Sequence, residues 1–296
     1  MTGSLTLDTL NAMSAADFAA ALAGIYEHSS WIAEGAAARR PFATLAALHE
    51  AMQAVVREAG PERQRALVAA HPDLAGKAAR AGTLTAASTA EQQGAGLDQL
   101  REEEFAAFHR LNDAYRTKFG LPFVACVGRL TKASILREME RRLDHAAAAE
   151  TATALAEIGR IAALRLDKAV SAPDRLPVAG RLSTHVLDTH LGKPAAGVAV
   201  ELVELDAAGP FRTVARAATN ADGRTDQPLI AGRPVPIGRY ELRFAAGAYF
   251  AGRGLALPDP PFLDLVPVRF AVAEAEGHYH VPLLVTPWSY STYRGS

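Results

Sequence analysis

The apolar residues of this chain recur at two different periods, and the change-over lies between about Lys168 and Arg181. Before it they return every three or four residues, the spacing of one helix face. From Leu182 they alternate, the spacing of a strand with one buried face. At 296 residues the chain exceeds a typical single domain, and two domains are expected. The predicted fold class is therefore α+β multidomain. An all-α helical bundle spans 1–170, a linker spans 171–181, and a β-sandwich spans 182–296. The linker is placed where Ser171-Ala172-Pro173-Asp174 and Leu176-Pro177-Val178-Ala179-Gly180 break helical periodicity.

In the first half, Ser14 with Asp17 predicts a helix cap, after which Phe18, Leu22, Ile25 and Tyr26 fall on one face. A second helix is predicted after Pro41, with Leu45, Leu48, Met52 and Val55 as its apolar stripe and Gly60 as its stop. Amphipathic segments follow over 62–70, 105–118, 133–143 and 153–169.

Chemistry in this half is expected where helices are interrupted. Pro72 disfavours the α conformation at His71, so His71 ends a helix. A helix C-terminus stabilises an imidazolium, which suits a general acid, although a lone His-Pro step is equally a simple cap. In the segment 84–97, Ser88 and Glu91 have capping-box spacing and predict a helix start.

In the second half, Val198, Val200 and Leu202 alternate, as do Tyr240, Leu242 and Phe244, and Val268, Phe270 and Val272. Asn220-Ala221-Asp222-Gly223-Arg224 predicts a turn. About eight short strands are expected, the pattern of a small sandwich. His278 and His280 are two apart in the last of the apolar strands and share a face, while the aromatic stretch 288–293 follows.

A net charge of −1, with no basic block, argues against a nucleic-acid surface. No apolar run reaches the length of a membrane span, and no secretory leader is read at residues 1–20, so a cytoplasmic protein is expected. The single cysteine, Cys126, lies in the apolar run 122–127 and reads as a buried thiol.

Five separated segments give the first half a family. Tyr26-Glu27-His28-Ser29-Ser30-Trp31, Arg40-Pro41-Phe42, His71-Pro72-Asp73-Leu74-Ala75-Gly76-Lys77, the segment 88–97 and Phe119-Gly120-Leu121-Pro122-Phe123 occur in this order. Together they resemble the 2-oxo-4-hydroxy-4-carboxy-5-ureidoimidazoline (OHCU) decarboxylases. That resemblance implies an all-α, usually dimeric enzyme that needs no cofactor. It makes His71 the catalytic histidine and Pro72, Ser88, Glu91 and Gln92 substrate-contacting positions. Arg129 is a further substrate-binding candidate, although the order here is Gly128-Arg129 where the family tends to carry the basic residue first. In this reading a protonated His71 stabilises the charge left by CO₂, Glu91 accepts a hydrogen bond from the substrate hydroxyl, and Gln92 pairs with ring or ureido groups.

The second half resembles the 5-hydroxyisourate hydrolases, the transthyretin-related enzymes of urate breakdown. The resemblance rests on Leu182-Ser183-Thr184-His185-Val186-Leu187-Asp188-Thr189 with Gly192-Lys193-Pro194-Ala195, on the segment 219–224, on His278-Tyr279-His280-Val281-Pro282-Leu283-Leu284 and on Tyr293-Arg294-Gly295-Ser296. It implies a transthyretin-like sandwich whose catalytic residues are His185, Arg224, His280 and Ser296, with Tyr293 at the substrate. A tag appended after Ser296 is expected to damage activity. His278 is not given a catalytic role and His190 is expected to be exposed. Zinc held by His185 with His278 and His280 is the rival reading, but the resemblance implies a metal-free site.

Both families act on consecutive steps of one degradation, so the expected partners are the small-molecule substrates 5-hydroxyisourate and OHCU. The resemblance to transthyretin-like tetramers implies self-association as a homotetramer. Two alternatives stand beside this reading. One is a transthyretin-like small-ligand carrier fused to a helical interaction domain, and the other is a hydrolase whose first domain has lapsed.

Overall fold

A computed structural model describes residues 5–76, 84–205 and 212–295. Residue contacts divide the chain into two compact units. The first comprises 1–128 with 134–178, and the second comprises 129–133 with 179–296.

The regular elements described in the first unit are helices: α1 Leu7–Ala12, α2 Ala15–Ala21, α3 Ser30–Ala37, α4 Leu45–Glu58, α5 Pro61–Ala69, α6 Ala86–Gly94, α7 Glu102–Phe119, α8 Lys132–Arg142 and α9 Ala147–Ala169. Ser14 caps α2, its hydroxyl accepting from the Asp17 N–H. That helix stops at Ala21, so Leu22, Ile25 and Tyr26 are buried from the turns that follow rather than from a helix face. On α4 the buried stripe is Leu45, Leu48, Met52 and Val56, one residue later than Val55. Helical spacing permits either valine, and packing selects Val56. Gly60 does not stop α4, which ends at Glu58 with Ala59 as its C-cap; it is the N-cap of α5, with Pro61 at the first helical position. Thr85, not Ser88, caps α6 by accepting from the Ser88 N–H, which frees the Ser88 hydroxyl for other work. Helices α1 and α3 had no clear periodic signal, because each is only a turn or two long. No helix among the described residues is long and apolar enough to cross a membrane.

The second unit is a sandwich of two sheets. The strands are β1 Gly180–Asp188, β2 Lys193–Pro194, β3 Ala199–Leu205, β4 Arg212–Ala218, β5 Ile230–Arg233, β6 Gly238–Ala245, β7 Leu265–Val272, β8 His278–Val285 and β9 Tyr290–Thr292. One sheet runs β2-β1-β8-β9, with β5 also on β1, and the other runs β4-β3-β6-β7. The alternating apolar residues meet in register, Leu202 opposite Leu242 and Leu242 opposite Val268. Their side chains join Leu182, Val186, Tyr279, Val281 and Leu283 in one core. Each fully buried residue of this size contributes about 1.5–3 kcal/mol, and a slip of one residue would turn the whole set to solvent. The register is thereby fixed, and so is the opposite face.

Strands β1 and β8 are parallel, with Ser183 opposite His280 and Arg181 opposite His278. Since Leu182 and Tyr279 point into the core, Arg181, Ser183, His185, His278 and His280 lie on the outer face. A short helix, α10 Ala246–Ala251, interrupts the all-strand pattern after β6. Its alanines and glycine hide a helical period in what reads as the end of a strand.

Candidate active sites

In the helical unit a small cleft is lined by His71, Pro72, Leu74, Ser88, Glu91, Gln92, Val124, Ala125, Val127, Ile161 and Arg165. His71 follows the last turn of α5, and its Nδ1 lies 3.0 Å from the Leu67 carbonyl oxygen. A carbonyl accepts only, so Nδ1 carries the proton and the neutral ring keeps its lone pair on Nε2. Burial lowers the His71 pKa below the ordinary histidine value, outweighing the Leu67 bond and the Glu27 charge, which favour the cation. Helix-end stabilisation of an imidazolium is therefore opposed: desolvation at 7% exposure is the larger effect and favours the neutral ring.

Around it stands a charged cluster. Arg165 on α9 forks onto Glu91, with Nε–Oε1 at 2.6 Å and Nη2–Oε2 at 2.9 Å. Its Nη1 donates to Glu27 Oε2 at 2.9 Å. Glu27 also accepts from Thr85 Oγ1 at 2.7 Å and Ser88 Oγ at 3.1 Å. Burial pushes the Glu27 carboxyl up, but these bonds and the arginine outweigh it and hold the pKa below the usual value. Gln92 accepts from the Ala75 N–H at 3.0 Å, which fixes its amide and leaves the NH₂ as the end with free donors. Lys77, which belongs to the His71 motif, lies outside the described residues.

Arg129 is not in this cleft. Its guanidinium forks onto Glu276, Nε–Oε1 at 2.6 Å and Nη2–Oε2 at 2.7 Å. Its carbonyl accepts from the Ile237 N–H at 2.7 Å, so the residue is held by its own, second unit. The shifted Gly128-Arg129 order has a physical counterpart: the short 3-10 turn Val127–Arg129 carries the arginine out of the cleft wall. Arg165 and Glu27 were missed as site residues. A signal for Arg165 was present, since a charge at 165 falls on the same helical stripe as the buried Ile158, Ile161, Ala162 and Leu166.

On the outer face of the sandwich a second constellation forms. His185 and Arg224 are bridged across the backbone, and His280 is bridged to Gly295. The Asn220 turn makes the first contact possible, because its side-chain oxygen accepts from the Asp222 and Arg224 N–H groups while Gly223 takes φ 72°. His185 bonds the Asp222 backbone, and its Nε2 is buried with no partner. The bonded nitrogen is thus Nδ1, and Nε2 offers a lone pair. His280 Nδ1 lies 3.0 Å from the Ser183 hydroxyl, a partner that the sequence pattern does not single out. Burial, then Arg224, lowers the pKa of both rings; Asp222 opposes this at His185, whereas His185, His278 and Arg181 add to it at His280.

Gly295 is pressed against His280, since a Cβ there would lie 2.5 Å from the ring Cδ2. Arg294 stacks 5.2 Å over Tyr279. Tyr293 is 58% exposed, and His190 is exposed. Ser296 lies outside the described residues. Among the described residues no group of three or more His, Cys, Asp or Glu is arranged to hold a metal ion.

Depressed histidine pKa values carry a sign. Between the ordinary value near pH 6.5 and the lower folded value, the unfolded chain binds more protons at His49, His71, His185 and His280. Stability is then full above about pH 6.5 and is lost as pH falls through the folded values. Melting temperatures recorded from pH 8 down to pH 5 should fall only below that point. A flat or rising profile would contradict the neutral resting rings.

Comparison with known proteins follows the same division. Residues 11–167 match the OHCU decarboxylase family, and residues 182–295 match the HIUase/Transthyretin family. A 5-hydroxyisourate hydrolase of Mesorhizobium japonicum is 60% identical over 118 residues, 40% of this chain and 93% of the relative. A 2-oxo-4-hydroxy-4-carboxy-5-ureidoimidazoline decarboxylase of Haloferax volcanii is 43% identical over 162 residues, 55% of this chain and 94% of the relative. The crystal structure of an (S)-allantoin synthase aligns with 99% of this chain and 100% of its own, at 35% identity and a TM-score of 0.50.

Proposed function

From the premise that this chain belongs to the OHCU decarboxylase family over its first half and to the HIUase/transthyretin family over its second, we propose two successive reactions of urate degradation. The second half hydrolyses 5-hydroxyisourate to OHCU, and the first half decarboxylates OHCU to (S)-allantoin. The observation that carries this is that each half builds its own imidazole site on one chain, and that this chain aligns end to end with an (S)-allantoin synthase.

For hydrolysis, His185 is assigned as the base. Water adds to the ring carbonyl and gives its proton to the bare Nε2 of His185. Arg224 stabilises the oxyanion that forms. The C–N bond then breaks, and the leaving nitrogen takes the proton that His185 accepted, while His280, whose ring Ser183 orients, holds the attacking water by a hydrogen bond. Ser296 and Tyr293 keep their assignments to this site from the family resemblance.

For decarboxylation, the C–CO₂ bond breaks and its electron pair passes into the conjugated ring, which makes the step independent of a cofactor. His71 Nε2 accepts the substrate hydroxyl proton, becomes a cation, and returns a proton to the ring carbon on one face, while the ring nitrogen that received the electron pair takes a proton from water. Glu91, held by Arg165, and the Gln92 amide orient the hydroxyl and ureido groups, beside Pro72 and Ser88. This reverses the starting charge given to His71 by the sequence alone.

The finer organisation belongs to the same proposal. Domains over 1–170 and 182–296, joined by 171–181, are supported by α9 ending at Ala169 and β1 beginning at Gly180. A homotetramer is what the resemblance implies, and a cytoplasmic location fits a chain whose single cysteine, Cys126, is buried. The activity is tested by following the absorbance of freshly generated 5-hydroxyisourate. Decay faster than in buffer is expected, and an unchanged decay would remove the hydrolase reading.

A further inference from the structure

The cleft wall at 121–127 is a backbone problem. Every residue in it is buried, yet 122–126 belong to no helix or strand. A buried backbone without a ladder must find partners elsewhere, and here side chains supply them. The Val124 carbonyl accepts from Arg142 Nη1 at 2.9 Å, and the Cys126 N–H donates to Glu157 Oε2 at 2.8 Å.

The two anchors bracket Ala125, and Val124, Ala125 and Val127 all face the cleft. Arg142 is itself held. Its Nε lies 3.1 Å from Glu150 Oε1, Nη2 bonds the same carboxylate, and the guanidinium covers the Phe123 ring at 4.4 Å. The Arg142 and Glu150 side chains are 2% and 1% exposed. Such a pair is weak evidence for added stability, because desolvation offsets the attraction. Its geometric consequence is clear: it fixes where the wall stands.

We propose that Arg142 and Glu157 are positioning residues for decarboxylation, clamping the segment around Ala125 as a rigid wall against one face of the substrate ring. The wall sets how the ring sits against His71, and hence which face receives the returned proton. The inference rests on the decarboxylase reading given above.

The test uses the full chain, with OHCU generated in situ, and reads KM, kcat and the enantiomeric excess of allantoin. Hydrolysis of 5-hydroxyisourate by the same chain is the internal reference. Glu157→Ala should raise the KM for OHCU about tenfold and lower the enantiomeric excess, since small misplacements at a reacting centre have large effects. Glu157→Gln keeps an oxygen acceptor for the Cys126 N–H and should stay within about twofold of the parent. Arg142→Lys keeps a cation beside Glu150 but loses the fork that also reaches Val124, and should move both readouts in the direction of Glu157→Ala.

Unchanged KM and enantiomeric excess in Glu157→Ala, or equal damage in Glu157→Gln, would overturn the proposal. Should Glu157→Ala fail to fold, Arg142→Lys decides on the same two readouts. A parent chain that does not decarboxylate at all would instead remove the reading on which the clamp depends.

Discussion

Arg165→Ala should silence decarboxylation, destabilise the helical unit and leave hydrolysis of 5-hydroxyisourate unchanged. Arg165 is 9% exposed at its side chain, and its partner Glu27 is 3% exposed. Removing one member of a buried ion pair leaves the other charged without compensation, at a cost of about 3–5 kcal/mol. Glu27 would answer by taking up a proton, and its bonds from Thr85 and Ser88 would rearrange. The same change releases Glu91 from the fork that aims it into the cleft.

Loss of a preorganised charge and of carboxylate orientation should together lower kcat for OHCU about a hundredfold or more. Arg165→Lys separates the two effects. It restores a positive charge to Glu27 but cannot fork onto Glu91, so stability should recover further than kcat does. Thermal melts with decarboxylation assays measure both. Near-parental kcat in Arg165→Ala would remove this residue from the site.

His280→Ala should have the complementary effect, lowering hydrolysis by about a hundredfold or more while the chain still decarboxylates OHCU supplied to it. Gly295→Ala probes the same ring without removing it. The added Cβ would lie 2.5 Å from His280 Cδ2 and 3.2 Å from its Cβ and Cγ. Those contacts are with the ring and its base, so the imidazole must tilt and its Ser183 bond at 3.0 Å must lengthen. A loss of about tenfold or more is expected from that displacement. Parental hydrolysis in Gly295→Ala would show that the orientation of His280 does not matter.

Much of this was legible because the two halves obey different periods. Alternation at Val200 and Leu202, and at Tyr240, Leu242 and Phe244, places the sandwich core. The same alternation puts His278 and His280 on one shared face, and the core shows that face to be the outer one. His71, Ser88, Glu91 and Gln92 were found as separate interruptions, and the fold brings them to one cleft.

What stayed hidden is what sequence spacing cannot carry. Arg165 lies 74 residues from Glu91, and nothing local announces the contact. Arg129 has the expected residue type near the expected place, yet one 3-10 turn sends it to Glu276. At His71 a helix end, which favours the cation, is visible in the sequence, whereas the burial that lowers its pKa is not.

The central claim is that one chain carries out both steps, and a circular-dichroism time course tests it most directly. Urate is oxidised by added urate oxidase, with and without this protein, and the optical activity of the product is followed. The account predicts rapid accumulation of a single allantoin enantiomer. Fast loss of 5-hydroxyisourate followed by slow, racemic allantoin would contradict the decarboxylase half, and no acceleration of either step would contradict both.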